Sequence, residues 1–164
     1  MVDAFKQLVK QHANCRLIIA GPLKNNDYVS CITKTIREAN LQSKITLLGE
    51  ISGIAQFFAN IDVLCVPSIF QEPLSNVISE AKYHHTPCII FPNGGMPELV
   101  THLRDGYICK EATIDALTDG MRWMIDNQQL LPTLSCNAYQ SITDLGITID
   151  AWSKKWKSVF QIAK

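Results

Sequence analysis

The sequence predicts an α/β fold in which a doubly wound, Rossmann-like parallel sheet carries helices on both faces. Short apolar runs without polar–apolar alternation recur along the chain, which is typical of strands buried on both sides. Segments with apolar residues at helical spacing lie between these runs, and clusters of Pro, Gly and Asn separate the two kinds of segment. Because parallel strands need long crossover connections, strands that alternate with helices favour a parallel sheet.

The composition is that of one globular domain. The chain has 164 residues, of which 47% are hydrophobic, so it is long enough to bury a sizeable core. Fifteen Lys and Arg residues balance fifteen Asp and Glu residues, which argues against a nucleic acid or an anionic membrane as partner. No apolar run approaches the roughly 20 residues of a membrane span, and the first residues lack the pattern of a signal peptide. We therefore expect a cytoplasmic protein without a membrane span.

The six cysteines lie far apart and form no CxxC pair. We interpret them as reduced residues of the core rather than as disulfides or metal ligands. They are Cys15, Cys31, Cys65, Cys88, Cys109 and Cys136.

The first half of the chain predicts helix, strand, helix and strand. A helical face opens the chain, formed by Val2, Phe5, Val9 and, less strongly, Ala13. The run CRLIIAG is then a short buried strand, and the turn cluster AGPLKNND leads into a helix over residues 28–39. KITLLG is the second strand, and it ends in glycine.

The second half continues the alternation and ends in helices. ISGIAQFFAN predicts a brief helix, IDVLCVPS a third buried strand, SNVISEAKYHH a helix, TPCIIFPNGG a fourth strand, PELVTHL a short helix and DGYICK a last strand. Two apolar stripes then predict helices: Ile114, Leu117, Met121 and Ile125, followed by Trp152, Trp156, Val159 and Phe160. We interpret residues 1–164 as a single domain, with an α/β core over 1–127 and a helical extension over 128–164.

The most informative loop follows the third strand, because ligands bind beyond the carboxyl ends of strands in open parallel sheets. There PSIFQEPLSNVISEAK makes a Pro-marked turn and enters a helix near residues 74–76. The free N–H groups of residues 74–77 favour an anion, most often a phosphate. Glu72 precedes the helix and Glu80 lies one turn beyond Asn76, and carboxylates suit the paired hydroxyls of a sugar or ribose. This layout is suited to a sugar nucleotide.

This segment resembles the retaining glycosyltransferases of family four, which have the two-domain GT-B architecture. The family's motif is two glutamates separated by seven residues, as Glu72 and Glu80 are in VPSIFQEPLSNVISEA. TPCIIFPNGGMPELV is similar to the family's strand, Gly-Gly turn and Pro-Glu helix start, and RLIIAGPL and KITLLGEI are similar to two earlier strands. The resemblance covers residues 2–127, all within the C-terminal, donor-binding domain.

The resemblance implies transfer of a hexose with retention from a nucleotide diphosphate sugar to an acceptor that the sequence does not identify. It implies no metal or other cofactor. Glu72 would be the catalytic residue and bind the donor sugar, and Glu80 would bind the ribose. The amides of Leu74, Ser75, Asn76 and Val77 would bind the diphosphate. The main chain near Gly49, Glu50 and Ile51 would contact the nucleobase.

The resemblance also implies parts that have no counterpart in these residues. Family members bind the acceptor with an N-terminal domain, so here it would come from an N-terminal domain or a partner chain. The family's first strand and the basic loop after it are absent before the first helix, which leaves Lys24 as the candidate cation for a diphosphate beside Glu72 and Glu80. In the family that strand is central. We therefore expect strands 17–20 and 63–66 to close together or to leave backbone groups unpaired.

Other interpretations stay open. The chain could be a non-catalytic binding or interaction module, or one half of a split enzyme. Another doubly wound nucleotide-binding protein is disfavoured, because no GxGxxG and no GxxxxGK[ST] motif follows a strand. Glu80 and His84 have the spacing of a metal-binding pair but lack a third ligand.

Overall fold

The computed structural model describes residues 1–24, 26–144 and 149–162 and confirms the predicted α/β class. Residue 25 of the predicted turn cluster, and residues 145–148 and 163–164 of the predicted helical extension, lie outside the described residues. The helices and strands, in chain order, are α1 Val2–Leu8, β1 Leu17–Ala20, α2 Asn26–Glu38, β2 Ile45–Gly49, α3 Ile54–Phe58, β3 Leu64–Val66, α4 Asn76–Tyr83, β4 Cys88–Ile90, β5 Gly106–Ile108, α5 Ile114–Asp126, α6 Leu131–Asp144 and α7 Ile149–Ile162.

The strands form two separate parallel sheets. One contains β1 and β2, with Ile18 opposite Thr46, and the other contains β3, β4 and β5 in that order, with Cys65 opposite Ile89. Within the described residues β1 and β3 do not pair with each other. The sequence leaves two outcomes open for these strands, closure on each other or unpaired backbone groups. The structure shows the second.

The split sheet changes the burial of the strands. All of β4 is buried, as predicted, because it has a neighbour on each side. Complete burial is a wrong prediction for β1 and β3, since Ile18 is 38% exposed and every residue of β3 is only half-buried. Each of these two strands has a neighbour on one side only.

The core lies where helices pack on the sheets and on one another. Helix α1 packs against α5, and α4 packs against α6 as well as against β3 and β4. The most deeply buried apolar side chains include Ala4, Ile78, Ala81, Ile89, Ile90, Met96 and Leu117.

Two predicted helices are shorter than the sequence indicates. Helix α1 ends at Leu8, and Ala13 lies beyond it as an exposed residue. PELVTHL does not form a helix: a 3₁₀ turn covers Met96–Glu98, and the chain then turns. There the backbone N–H of Thr101 donates to Asp105 Oδ1 at 2.9 Å, a local bond that competes with helical hydrogen bonding.

The cysteines differ in their surroundings. All six are free thiols; Cys88 and Cys109 are buried, but Cys31 and Cys136 are exposed, so the core prediction is wrong for the latter two. Burial raises the pKa of Cys65 to about 12 and that of Cys109 to about 11. These two thiols therefore stay protonated near neutral pH and are poor nucleophiles.

Helix α7 carries the predicted aromatic stripe on its surface. Trp152, Trp156 and Phe160 are all exposed, and neighbouring rings along the stripe lie 5.9 and 5.8 Å apart. Among the described residues no helix combines the length and the apolar character that crossing a bilayer requires.

Candidate functional site

The start of α4 presents unpaired backbone donors. Ser75 occupies the N-cap position with an extended backbone, yet its buried hydroxyl makes no capping hydrogen bond. The first N–H of the helix with a backbone partner is that of Ile78, which donates to the Ser75 carbonyl at 3.2 Å. Within the described residues the N–H groups of residues 74–77 have no backbone partner. Because Asn76 and Val77 are exposed as well, this helix start is open to an anion.

Glu72 is fixed in front of the helix by its side chain and its backbone. Ser68 Oγ donates to Glu72 Oε1 at 2.7 Å, and the Glu72 N–H donates to the carbonyl of Phe70 at 3.0 Å. The Glu72 carbonyl accepts from the N–H of Gly95 at 2.8 Å. The half-buried carboxylate is therefore held by one oxygen, and Oε2 has no partner among the described residues.

The Gly-Gly turn after β4 packs directly on the backbone of Glu72 and Pro73. A Cβ on Gly95 would lie 2.0 Å from the Pro73 carbonyl oxygen, and one on Gly94 would lie 2.3 Å from the Glu72 carbonyl oxygen. Gly94 also has a φ of +57°, a conformation that side chains disfavour. The sequence predicts only a tight turn here. The structure shows that both glycines are needed so that this turn can support the Glu72 loop.

Glu80 lies on the exposed side of α4, and a buried ion pair anchors the opposite side. Lys82 Nζ lies 3.3 Å from Asp105 Oδ1, each side chain is 1% exposed, and Nζ also donates to the carbonyl of Leu99. The sequence does not predict this pair. Lys82 lies four residues after Ile78, on the apolar face of α4, and this position is the one signal in the sequence that the lysine is buried. The sequence does not identify Asp105 as its partner.

The loops after β1 and β2 come together at their predicted ligand-binding residues. Lys24 Nζ lies 3.3 Å from Glu50 Oε1, with both side chains largely exposed, and the N–H of Gly21 donates to the carbonyl of Gly49 at 2.9 Å. Lys24 thus has a carboxylate partner that the sequence did not predict. Ile51, next to Glu50, is half-buried.

A large cavity lies away from this loop. It measures about 860 Å³ and lies between β1 and β3, and none of the predicted donor-binding residues lines it. The candidate site is instead an open surface, on which Leu74 and Val77 are 53% and 36% exposed.

The histidines have packing and hydrogen-bonding roles. His84 stacks on Phe58, His85 stacks on Tyr139, and His102 Nδ1 accepts from the N–H of Ile108 at 3.0 Å. In the part of the chain that the structure describes, no three His, Cys, Asp or Glu side chains are placed to hold a metal ion.

The parallel sheets flanked by helices match the fold of the C-terminal domains of GT-B glycosyltransferases. The family model of the glycosyl transferases group 1 matches residues 1–141, so the chain belongs to this family.

Known proteins of similar sequence and structure agree with this assignment. An uncharacterized glycosyltransferase of Haemophilus influenzae is 21% identical over 160 residues, which are 97% of this chain and 44% of that protein. The crystal structure of Anabaena HepE in complex with UDP has a TM-score of 0.83 at 24% identity, covering 99% of this chain and 43% of HepE. The C-terminal domain of a glycosyl transferase group 1 family protein, LpcC of Francisella tularensis, has a TM-score of 0.78 at 18% identity, covering 87% of this chain and 75% of that one. The chain thus spans less than half the length of the curated relatives it matches.

Proposed function

We propose that this domain binds the nucleotide diphosphate sugar of a retaining hexosyltransferase. The observation that carries the proposal is the open start of α4, where four N–H groups between Glu72 and Glu80 have no backbone partner in the part of the chain that the structure describes. An anion with two negative phosphates suits these donors and the positive end of the helix dipole, while each carboxylate accepts hydrogen bonds from hydroxyls. Structures of the similar protein HepE contain UDP, UDP with glucose, and UDP-glucose, which supports a donor of this class.

Each residue's role in donor binding is assigned from its position along α4 and the loops beside it. The amides of residues 74–77 bind the diphosphate, and Glu80, one turn further along the helix, binds the ribose. Glu72, fixed by Ser68 and by the Gly-Gly turn, presents its free oxygen to the donor sugar. The backbone of residues 49–51 contacts the base, and Lys24 moves from Glu50 to the diphosphate to offset the charge of the two glutamates. No metal takes part in donor binding.

Transfer itself needs an acceptor that is positioned as well as the donor. We propose that the acceptor is held by an N-terminal domain or by a partner chain, and that transfer takes place where the two parts meet. The acceptor surface would then cover the open helix start and exclude water from the reaction.

Replacing Glu80 tests the site. In calorimetric titrations with UDP and GDP, we expect Glu80→Gln to weaken binding of the preferred nucleotide by roughly 10- to 100-fold, because hydrogen bonds to a charged group contribute about 1.5–3 kcal/mol. Glu38→Gln is the control, since Glu38 is also an exposed glutamate on a helix but lies far from α4 in sequence. Equal affinity of Glu80→Gln and the unsubstituted chain would contradict the ribose role. Absence of heat with every nucleotide would favour a non-catalytic interaction module.

Replacing Glu72 separates sugar binding from nucleotide binding. We expect Glu72→Gln to weaken the binding of a nucleotide sugar, such as UDP-glucose or GDP-mannose, by roughly tenfold while leaving the affinity for the free nucleotide unchanged. Ser68→Ala removes the hydroxyl that orients Glu72 and should have a smaller effect in the same direction. A Glu72→Gln variant that loses affinity equally for both ligands would contradict the assignment of Glu72 to the sugar.

A further inference from the structure

Lys82 is a buried charged group that the proposed donor site does not use. It lies on α4 two residues after Glu80, and its side chain is only 1% exposed. Taking an ammonium group out of water is unfavourable, and an apolar side chain of similar volume often serves stability equally well or better. Stability alone therefore does not account for a lysine at this position.

The ammonium of Lys82 joins α4 to two other segments. Nζ donates to the carbonyl of Leu99 and lies 3.3 Å from Asp105 Oδ1. Asp105 in turn accepts from the N–H of Thr101 at 2.9 Å. An ammonium carries three donors on a long flexible stem, so one side chain can bond both oxygens. An apolar side chain at this position would fill the space without making either bond.

Leu99 ends the segment that supports Glu72. The Gly95 N–H donates to the Glu72 carbonyl at 2.8 Å, and the 3₁₀ turn Met96–Glu98 follows at once. The Leu99 N–H donates at 3.0 Å to the carbonyl of the first residue of that turn. One compact turn is thus bonded to the Glu72 loop at its first end and to Lys82 at its last end.

The direct connection between the two glutamates has few backbone hydrogen bonds of its own. It passes through the start of α4, where four successive N–H groups have no backbone partner in the described part of the chain. The proposed donor contacts Glu72 with its sugar and Glu80 with its ribose, so the spacing of the two carboxylates has to match one ligand. A second connection runs through Leu99 and Lys82, both of which are buried.

We propose that Lys82 is a positioning residue for donor binding. Its two bonds hold α4 and Glu80 at a fixed spacing from the turn that supports Glu72. The inference rests on the proposed function and adds to the donor site a residue that contacts no ligand. A nucleotide sugar contacts both carboxylates, whereas a free nucleotide contacts α4 but not Glu72. Loss of the ammonium should therefore weaken the binding of a nucleotide sugar more than that of the nucleotide.

The double variant Lys82→Met/Asp105→Asn tests the proposal. It removes both charges together and keeps an oxygen for the Thr101 N–H, so no buried charge is left unpaired and the chain should fold. UDP, UDP-glucose, GDP and GDP-mannose are titrated by calorimetry into this variant and into the unsubstituted chain, and circular dichroism checks that each is folded. We expect the affinity for the preferred nucleotide sugar to fall roughly tenfold or more, and the affinity for its nucleotide to change by less than about threefold.

Lys34→Met is the matched control. Lys34 also pairs with a carboxylate, that of Glu38 at 3.8 Å, but both side chains are exposed on α2, so this variant should change neither affinity. In the double variant, losses of the same size for nucleotide and nucleotide sugar, or no loss for either, would overturn the proposal and leave the donor site intact.

Two further outcomes are separated in the same experiment. If the double variant is unfolded, the titrations are repeated in trimethylamine N-oxide, which favours the folded state. A variant that stays unfolded there would overturn the proposal, because the pair would then serve folding alone. If the unsubstituted chain binds no nucleotide and no nucleotide sugar, the proposed function itself fails, and the role of Lys82 fails with it.

Discussion

Asp105→Ala is expected to lower the free energy of unfolding by about 3–5 kcal/mol. The substitution leaves the ammonium of Lys82 buried without its carboxylate, since both side chains are only 1% exposed. It also removes the acceptor of the Thr101 N–H, which fixes the turn beside α4. Urea denaturation followed by circular dichroism measures the change.

Two variants show whether the unpaired charge is the cause. Glu38→Ala breaks the exposed ion pair between Lys34 and Glu38, at 3.8 Å, and should leave stability nearly unchanged. Lys82→Met combined with Asp105→Ala removes both charges and should recover part of the loss. A loss below about 1 kcal/mol in Asp105→Ala would contradict the view that this pair anchors α4.

Gly95→Ala is expected to reduce stability by about 1–3 kcal/mol and to abolish most nucleotide-sugar binding. The added methyl group would lie 2.0 Å from the carbonyl oxygen of Pro73, so one of the two loops has to move. Movement breaks the hydrogen bond from the Gly95 N–H to the Glu72 carbonyl and displaces Glu72 from the helix start. Thermal unfolding and titration with a nucleotide sugar measure the two effects.

Gly53→Ala is a matched control for this change. A Cβ on Gly53 would have its nearest neighbour, Gln56 Cβ, at an ordinary distance of 3.8 Å, and its φ of −98° suits any residue. The variant should therefore keep its stability and its affinity for the ligand. If Gly95→Ala behaves like Gly53→Ala, the Gly-Gly turn does not position Glu72.

The sequence predicts those parts of the fold that depend on local pattern. The run around Ile89 predicts a buried strand, and the structure confirms it, because β4 has a neighbour on each side. The same kind of run around Ile18 predicts complete burial wrongly, since burial also depends on whether another strand lies alongside. Apolar pattern therefore predicts that a strand exists better than it predicts what covers that strand.

In the candidate site, too, the sequence predicts local features but not the contacts between distant segments. The Pro-marked turn predicts where α4 begins, because a proline near a helix start acts through local backbone geometry. The contact of Gly95 with Pro73 and the pairing of Lys82 with Asp105 join segments that are distant in sequence. Turn chemistry identifies Gly95 as a turn residue, and helical spacing places Lys82 on a buried face, but only the packed structure identifies the partners.

The most direct test of donor binding at the start of α4 is a titration followed through the backbone amides. UDP or GDP, followed by the corresponding nucleotide sugar, is added to the isotope-labelled chain. We predict that the largest changes in amide chemical shift fall on residues 74–77, with a further change at Glu72 only when the sugar is present. Changes confined to residues that line the cavity between β1 and β3, such as Ile18 and Val63, would contradict the account.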